Sequence, residues 1–158
     1  MAAPPPFTDK EAAFLRALVD ERVEFMVVGL AAAALQGAPA VTQDIDLWLA
    51  DRSDPRFREA LRKVGASYVP PSMNNPPLLV GGGTELFDIV VNMHGLGPFE
   101  QEVKRAIRIR LGDVEIPVLP LDRIIASKRA TGRPKDRAIL PALEDTLRTL
   151  RSRHKRDG

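Results

Sequence analysis

The run Val41-Thr42-Gln43-Asp44-Ile45-Asp46-Leu47-Trp48-Leu49 sets two carboxylates two residues apart inside an otherwise apolar stretch. On a β-strand, alternate side chains leave opposite faces. Asp44 and Asp46 then share one face, and Ile45, Leu47 and Leu49 point the other way into a core. Adjacent negative charges repel, so the pair is costly unless a cation sits between them. Magnesium prefers carboxylate oxygens and keeps water and phosphate as its other ligands. The pattern predicts a phosphoryl- or nucleotidyl-transfer site. Phe87-Asp88-Ile89-Val90-Val91 supplies a third candidate ligand, one aspartate isolated in an apolar strand. An unpaired buried carboxylate is expensive, so Asp88 must reach a surface or meet a cation. If the two strands are sheet neighbours, all three carboxylates converge on one edge of the sheet.

Upstream, Val27-Val28-Gly29-Leu30-Ala31-Ala32 reads as strand, glycine, helix start. Amides at a helix N-terminus attract phosphate, and glycine lets backbone approach a ligand without a Cβ in the way. Such a unit alone is usually structural; its value here is its closeness to the aspartate pair.

The elements that must position these residues follow from periodicity and punctuation. Thr8-Asp9-Lys10-Glu11 has capping-box spacing before a helix over 9–21. A buried strand is expected over 23–28, a short helix over 30–35 closed by Gly37, and a strand over 44–49. Ser53-Asp54-Pro55 starts a helix that Gly65 stops. Residues 70–77, with four prolines and two asparagines, form a loop. Residues 78–80 and 86–91 around Gly81-Gly82-Gly83 read as a hairpin. A helix over 98–106 and a second, weaker hairpin signal around Gly112-Asp113 precede a helical stretch over 121–153, broken near Gly132-Arg133-Pro134. Pro141 should kink the last helix or mark a new first turn. The expected fold is α/β (α+β): a mixed sheet with helices packed on it, plus C-terminal helices. One domain spans 8–153, with a core over 23–118 and a helical part over 121–153. A disordered lead-in over 1–7 and a basic tail over 154–158 flank it.

With 158 residues, 44% apolar and 28% charged, the chain suits one domain with a real core. No cysteine is present, which excludes disulfides and thiolate metal sites and fits a reducing cytoplasm. No apolar run is long enough to span a bilayer, and the opening residues lack the pattern of a secretion signal. Net charge is only +2, but residues 121–158 carry eleven Lys or Arg against five Asp or Glu. That end is at +6 and the remainder at −4. A basic end facing an acidic centre suits a protein that handles polyanions, although a solvated helix face gives the same count.

Gly29-Leu30-Ala31, Gly37, Thr42, Asp44 and Asp46 resemble the first motif of the nucleotidyltransferase superfamily with the polymerase-β-like fold. Within it, the chain looks most like small bacterial nucleotidyltransferase-like proteins related to toxin–antitoxin and abortive-infection enzymes. The closing run Val118-Leu119-Pro120-Leu121-Asp122-Arg123-Ile124-Ile125-Ala126-Ser127-Lys128, with Gly132-Arg133-Pro134-Lys135-Asp136, is similar to these relatives as well. The resemblance covers about residues 23–150. It implies transfer of a nucleoside monophosphate from a nucleoside triphosphate to an RNA (tRNA), protein or small-molecule acceptor. It also implies two Mg2+ ions on Asp44, Asp46 and Asp88. The nucleotide would meet Gly29, Leu30, Thr42, Lys128, Arg133 and Lys135, with Asp136 orienting one of the cations. Two departures bear on this. Leu30 stands where the family has a second small residue, and Ala40 where it often has Arg. They open a second expectation, a catalytically weak scaffold or antitoxin that acts by binding a cognate partner protein. A metal-dependent phosphohydrolase is a third, for which no histidine or further carboxylate lies near the pair. Trp48 shares the aspartate face by alternation, so base stacking or packing beside the site is open to it. His94 reads as a loop residue, and His154 has no assigned role.

Overall fold

The computed structural model describes residues 7–157. Its elements run, in order, α1 (Asp9–Asp20), β1 (Phe25–Val28), α2 (Gly29–Leu35), β2 (Ile45–Leu49), α3 (Pro55–Lys63), β3 (Ser67–Val69), β4 (Leu78–Val80), β5 (Phe87–Val90), α4 (Phe99–Glu102), β6 (Ile107–Leu111), β7 (Val114–Val118), α5 (Leu121–Thr131) and α6 (Pro134–Asp157). Local chemistry explains the ends. Thr8 accepts the Glu11 N–H at 3.1 Å while Glu11 accepts the Thr8 N–H at 2.9 Å, so the capping box forms. Asp54 caps α3 just before Pro55. Gly132 takes the left-handed conformation, φ +62°, that closes α5. The lead-in expected over 1–7 lies outside the described residues except for Phe7, which is buried.

Five strands form a mixed sheet in the order β5-β2-β1-β7-β6. β2 pairs parallel with β5 and antiparallel with β1; β1 pairs parallel with β7, and β7 antiparallel with β6. All four residues of β1, the central strand, are buried, which explains its unbroken apolar run. On β2, Ile45, Leu47 and Leu49 are buried as alternation requires. Phe14 of α1 meets Phe87 edge-to-face at 5.0 Å, placing α1 on that side of the sheet. Trp48, on the opposite side, is 1% exposed and meets Phe99 edge-to-face at 5.6 Å. Packing, not base stacking, is therefore its role, and its buried indole N–H has no protein partner. Among the described residues no helix is long and apolar enough to cross a membrane.

Three expectations are corrected. Residues 78–80 do not pair with 86–91: β4 pairs antiparallel with β3, a strand the sequence reading missed, and β5 joins β2 instead. The reason lies in the three glycines between them. All have positive φ, and a Cβ on Gly81 or Gly82 would stand 2.7 Å from the Gly65 carbonyl oxygen or 2.2 Å from that of Val64. The triplet serves as a close backbone crossing over the end of α3, not as a hairpin turn. The expected helix over 98–106 is one turn of α-helix followed by a 3-10 turn over Val103–Arg105. Finally, α6 is one helix through Pro141, so no new first turn begins there, and it reaches Asp157, so residues 154–157 of the expected tail continue the helix.

The crossing gives a test. Gly82→Ala should destabilise the fold by more than about 2 kcal/mol, since it adds left-handed strain to a backbone clash. Gly112→Ala has similar φ, +66°, but open space around it, and should lose only the roughly 1–2 kcal/mol of conformational strain. Urea unfolding of both variants checks the ordering.

Candidate active site

In the parallel pairing of β2 with β5, Asp46 stands directly opposite Asp88. In-register partners project to the same face, so the two carboxylates leave the sheet side by side. Asp44 precedes β2 by one residue, at the end of a turn that Thr42 shapes. The Thr42 hydroxyl accepts the Asp44 N–H at 3.2 Å and donates to the Asp44 carbonyl at 3.0 Å. Thr42 thus braces the turn that presents Asp44.

The three aspartates line one cavity of about 310 Å³ with Leu30, Thr42, Lys128, Arg133, Lys135, Asp136 and Ile139. Gly29 adjoins it from behind. Its φ is +68°, and a Cβ there would lie 2.7 Å from Asp46 Oδ2. Position 29 therefore needs glycine twice over, for its backbone conformation and for room beside the carboxylate. All nine residues picked from the sequence gather here. Ile139 was missed, because nothing in a helical apolar residue distinguishes a cavity wall from a core.

The acidic cluster is electrostatically uncomfortable. Burial, then the charges of Asp88 and Asp44, push the Asp46 carboxyl up from 3.8 to about 6, against the pull of Lys128 and Lys135. Burial and the Asp44 charge also raise Asp88. Asp136 shows the reverse: hydrogen bonds from Arg133 and Lys128 outweigh its burial and hold it at about 2. Its carboxylate is 1% exposed and accepts from Lys128 Nζ at 3.2 Å, Arg133 Nε at 2.8 Å and the Arg133 backbone N–H at 3.3 Å. It therefore ties the end of α5 to the start of α6. Among the described residues, Lys135 is the one cavity cation with no ion pair.

A second brace was not foreseen. Gln36, just past α2, donates to the carbonyls of Ala32 at 3.0 Å and Leu119 at 2.9 Å, and accepts the Leu121 N–H at 2.9 Å. It joins the helix after Gly29 to the helix that carries Lys128. A lone glutamine in an alanine-rich segment gives no sign of a partner 85 residues away.

Among the described residues, no three histidine or acidic side chains already stand in a closed metal-binding group. The donor set is nonetheless that of a hard divalent cation: carboxylate oxygens on an open cavity wall, carrying excess negative charge. It fits magnesium, which keeps water and phosphate in its coordination shell, better than an enclosed structural ion.

No family model matches this sequence, and no curated protein does. Solved structures do. The antibiotic-resistance factor ANT(2")-Ia, crystallised with adenylyl-2"-tobramycin, superposes with TM-score 0.55 at 14% identity, over 90% of this chain and 95% of that one. Its solution structure gives 0.54 at 14%, over 90% of each. An antigenic nucleotidyltransferase-like protein from Paracoccidioides brasiliensis gives 0.57 at 14%, over 87% of this chain and 73% of that one. These likenesses are likenesses of fold.

The strained carboxyl predicts a pH signature in metal-free protein. A folded-state value raised from 3.8 to about 6 contributes stability that is fully present below 3.8 and lost as pH rises through 6. The difference is roughly 3 kcal/mol. In excess chelator, the wild type should gain that stability between pH 7 and pH 4 relative to Asp46→Asn. At pH 7 the variant should be the more stable. Parallel curves for the two proteins in urea titrations across this range would remove the electrostatic account.

Proposed function

The chain has a nucleotidyltransferase fold, and from it we propose that the protein moves a nucleoside monophosphate from a nucleoside triphosphate to an acceptor hydroxyl. The in-register pairing of Asp46 with Asp88, beside Asp44 and facing Lys128, Arg133 and Lys135, carries this reading. The acceptor oxygen forms a bond to the α-phosphorus, the bond to the bridging oxygen breaks, pyrophosphate leaves, and the hydroxyl proton passes to solvent or a carboxylate. Asp44 and Asp46 would hold two magnesium ions and Asp88 one of them. Bound there, such ions offset the developing charge on the phosphates and favour ionisation of the attacking hydroxyl. Lys135, a cavity cation without an ion pair among the described residues, would meet the triphosphate, with Lys128 and Arg133 held beside it by Asp136. Amides following Gly29 offer further donors. The acceptor is an RNA such as tRNA, a protein side chain or a small molecule; the adenylylated antibiotic bound to ANT(2")-Ia supports the last.

A second reading has its own support. Leu30 lines the cavity, and Lys128 and Arg133 already share an ion pair with Asp136. A chain with weak triphosphate affinity would act as a scaffold, docking a cognate partner in a paired toxin–antitoxin system.

Two measurements separate these. Purified protein, α-labelled triphosphates, magnesium and mixed RNA or protein acceptors should give label transfer. Asp44→Ala/Asp46→Ala should abolish it, by more than the roughly 10–100-fold that losing an outer-sphere metal partner costs. Calorimetry with magnesium and each triphosphate should show metal-dependent binding weakened by Lys135→Ala. Absence of both transfer and binding would leave the scaffold reading standing.

A further inference from the structure

We propose that the outer face of α6 is a docking surface for the phosphate backbone of a polynucleotide, which it delivers to the acidic cavity. Arg137, Arg148, Arg151 and Lys155 recur at spacings of 11, 3 and 4 residues. At about 100° per residue these positions fall within roughly 60° of one another, so they form one stripe along the helix. All four are exposed. Glu144 lies on the same stripe but is neutralised by Arg129 of α5 at 2.6 Å. Arg129, Arg148 and Arg151 line a groove of about 290 Å³ between α5 and α6 together with Asp122 and Glu144; Arg148 pairs with Asp145 at 3.2 Å, so among the described residues Arg151 brings the groove its unpaired cation. Arg153 and Arg156 add charge at the far end, where every residue over 151–156 is exposed and, among the described residues, Arg151, Arg153, Lys155 and Arg156 have no ion pair.

Cations complement the dipole at a helix C-terminus, but that effect is confined to the last turn. It accounts for Lys155 and Arg156 and leaves Arg137 and Arg151, neither of which has an ion pair among the described residues, unexplained. A lipid surface is disfavoured, since Arg151-Ser152-Arg153-His154-Lys155-Arg156 has no apolar side chain to insert. The first two turns of the same helix line the acidic cavity through Lys135, Asp136 and Ile139. A rise of 1.5 Å per residue puts Lys155 about 30 Å from Lys135. A small acceptor cannot touch both ends of that rod, whereas a polymer with regularly spaced phosphates can. Delivery to the cavity rests on the transferase reading; docking on the helix does not.

The test is fluorescence anisotropy of the full chain with labelled 20-nucleotide single-stranded RNA and DNA of the same sequence, in chelator and without triphosphate. Polyglutamate serves as the competing polyanion. Log affinity should fall steeply with log salt, and the variant R151Q/R153Q/K155Q/R156Q should reduce that slope by about 3, with at least tenfold weaker binding at low salt. Asp44→Ala/Asp46→Ala, which removes two negative charges from the cavity, should bind no more weakly than the wild type, so a failure of transfer leaves this result readable. Tighter binding of RNA would identify the acceptor's sugar, and equal binding would identify the shared phosphate backbone alone. An unchanged slope in the quadruple variant, no binding by the wild type, or polyglutamate binding as tightly as the oligonucleotides would overturn the proposal.

Discussion

Like charge held together is the constraint around which this molecule is arranged. Parallel pairing of β2 with β5 sets Asp46 opposite Asp88, and the Thr42 turn adds Asp44 to the same cavity. Burial and then repulsion lift Asp46 to about 6, a standing cost that the sheet around it must carry. The sheet can do so because its central strand is buried throughout and the α1 face of β2 is filled by Ile45, Leu47 and Leu49. A soft local electrostatic environment thus sits on a stiff apolar frame, the usual division between a site and its scaffold.

Positive charge reaches the cluster from the far end of the chain, and its delivery depends on two polar braces. Asp136 binds Lys128 from α5 and Arg133 from the connecting turn, so a buried carboxylate converts two flexible cations into placed ones. Gln36 ties the helix after Gly29 to the entrance of α5. A third buried polar link, Glu102 with Arg123 at 2.8 Å, fixes α5 against the segment following β5. Each is fully partnered, so burial of these polar groups adds specificity of placement without orphaned donors or acceptors.

Much of this was legible from spacing alone. The capping box before α1, the proline-started α3, the β6–β7 hairpin and the glycine break between α5 and α6 all formed as their local chemistry directs. The residues that gather at the cavity could be singled out as well, because carboxylates in apolar strands and glycine at a strand–helix junction are costly choices that demand a reason. Misreadings fell where local signals are ambiguous. Gly81-Gly82-Gly83 has the composition of a turn, yet its use is set by the Val64 and Gly65 carbonyls beneath it. Ser67–Val69 is too short to declare itself a strand, and Tyr68 becomes sheet by packing on Phe57 at 5.8 Å. Pro141 can mark a new first turn, but α6 continues through it with Leu143 buried on its inner face.

The amino-acid order alone specified which side chains carry charge, which face Ile45, Leu47 and Leu49 occupy and where α1 and α3 begin, since these depend on neighbours within a few residues. Only tertiary structure decided that β5 lies beside β2 in a register matching Asp46 to Asp88, that Lys128 answers to Asp136, and that Gln36 bridges two distant helices. Such pairings are chosen by burial of surfaces far apart in the chain, and no short-range pattern encodes which surface will be met.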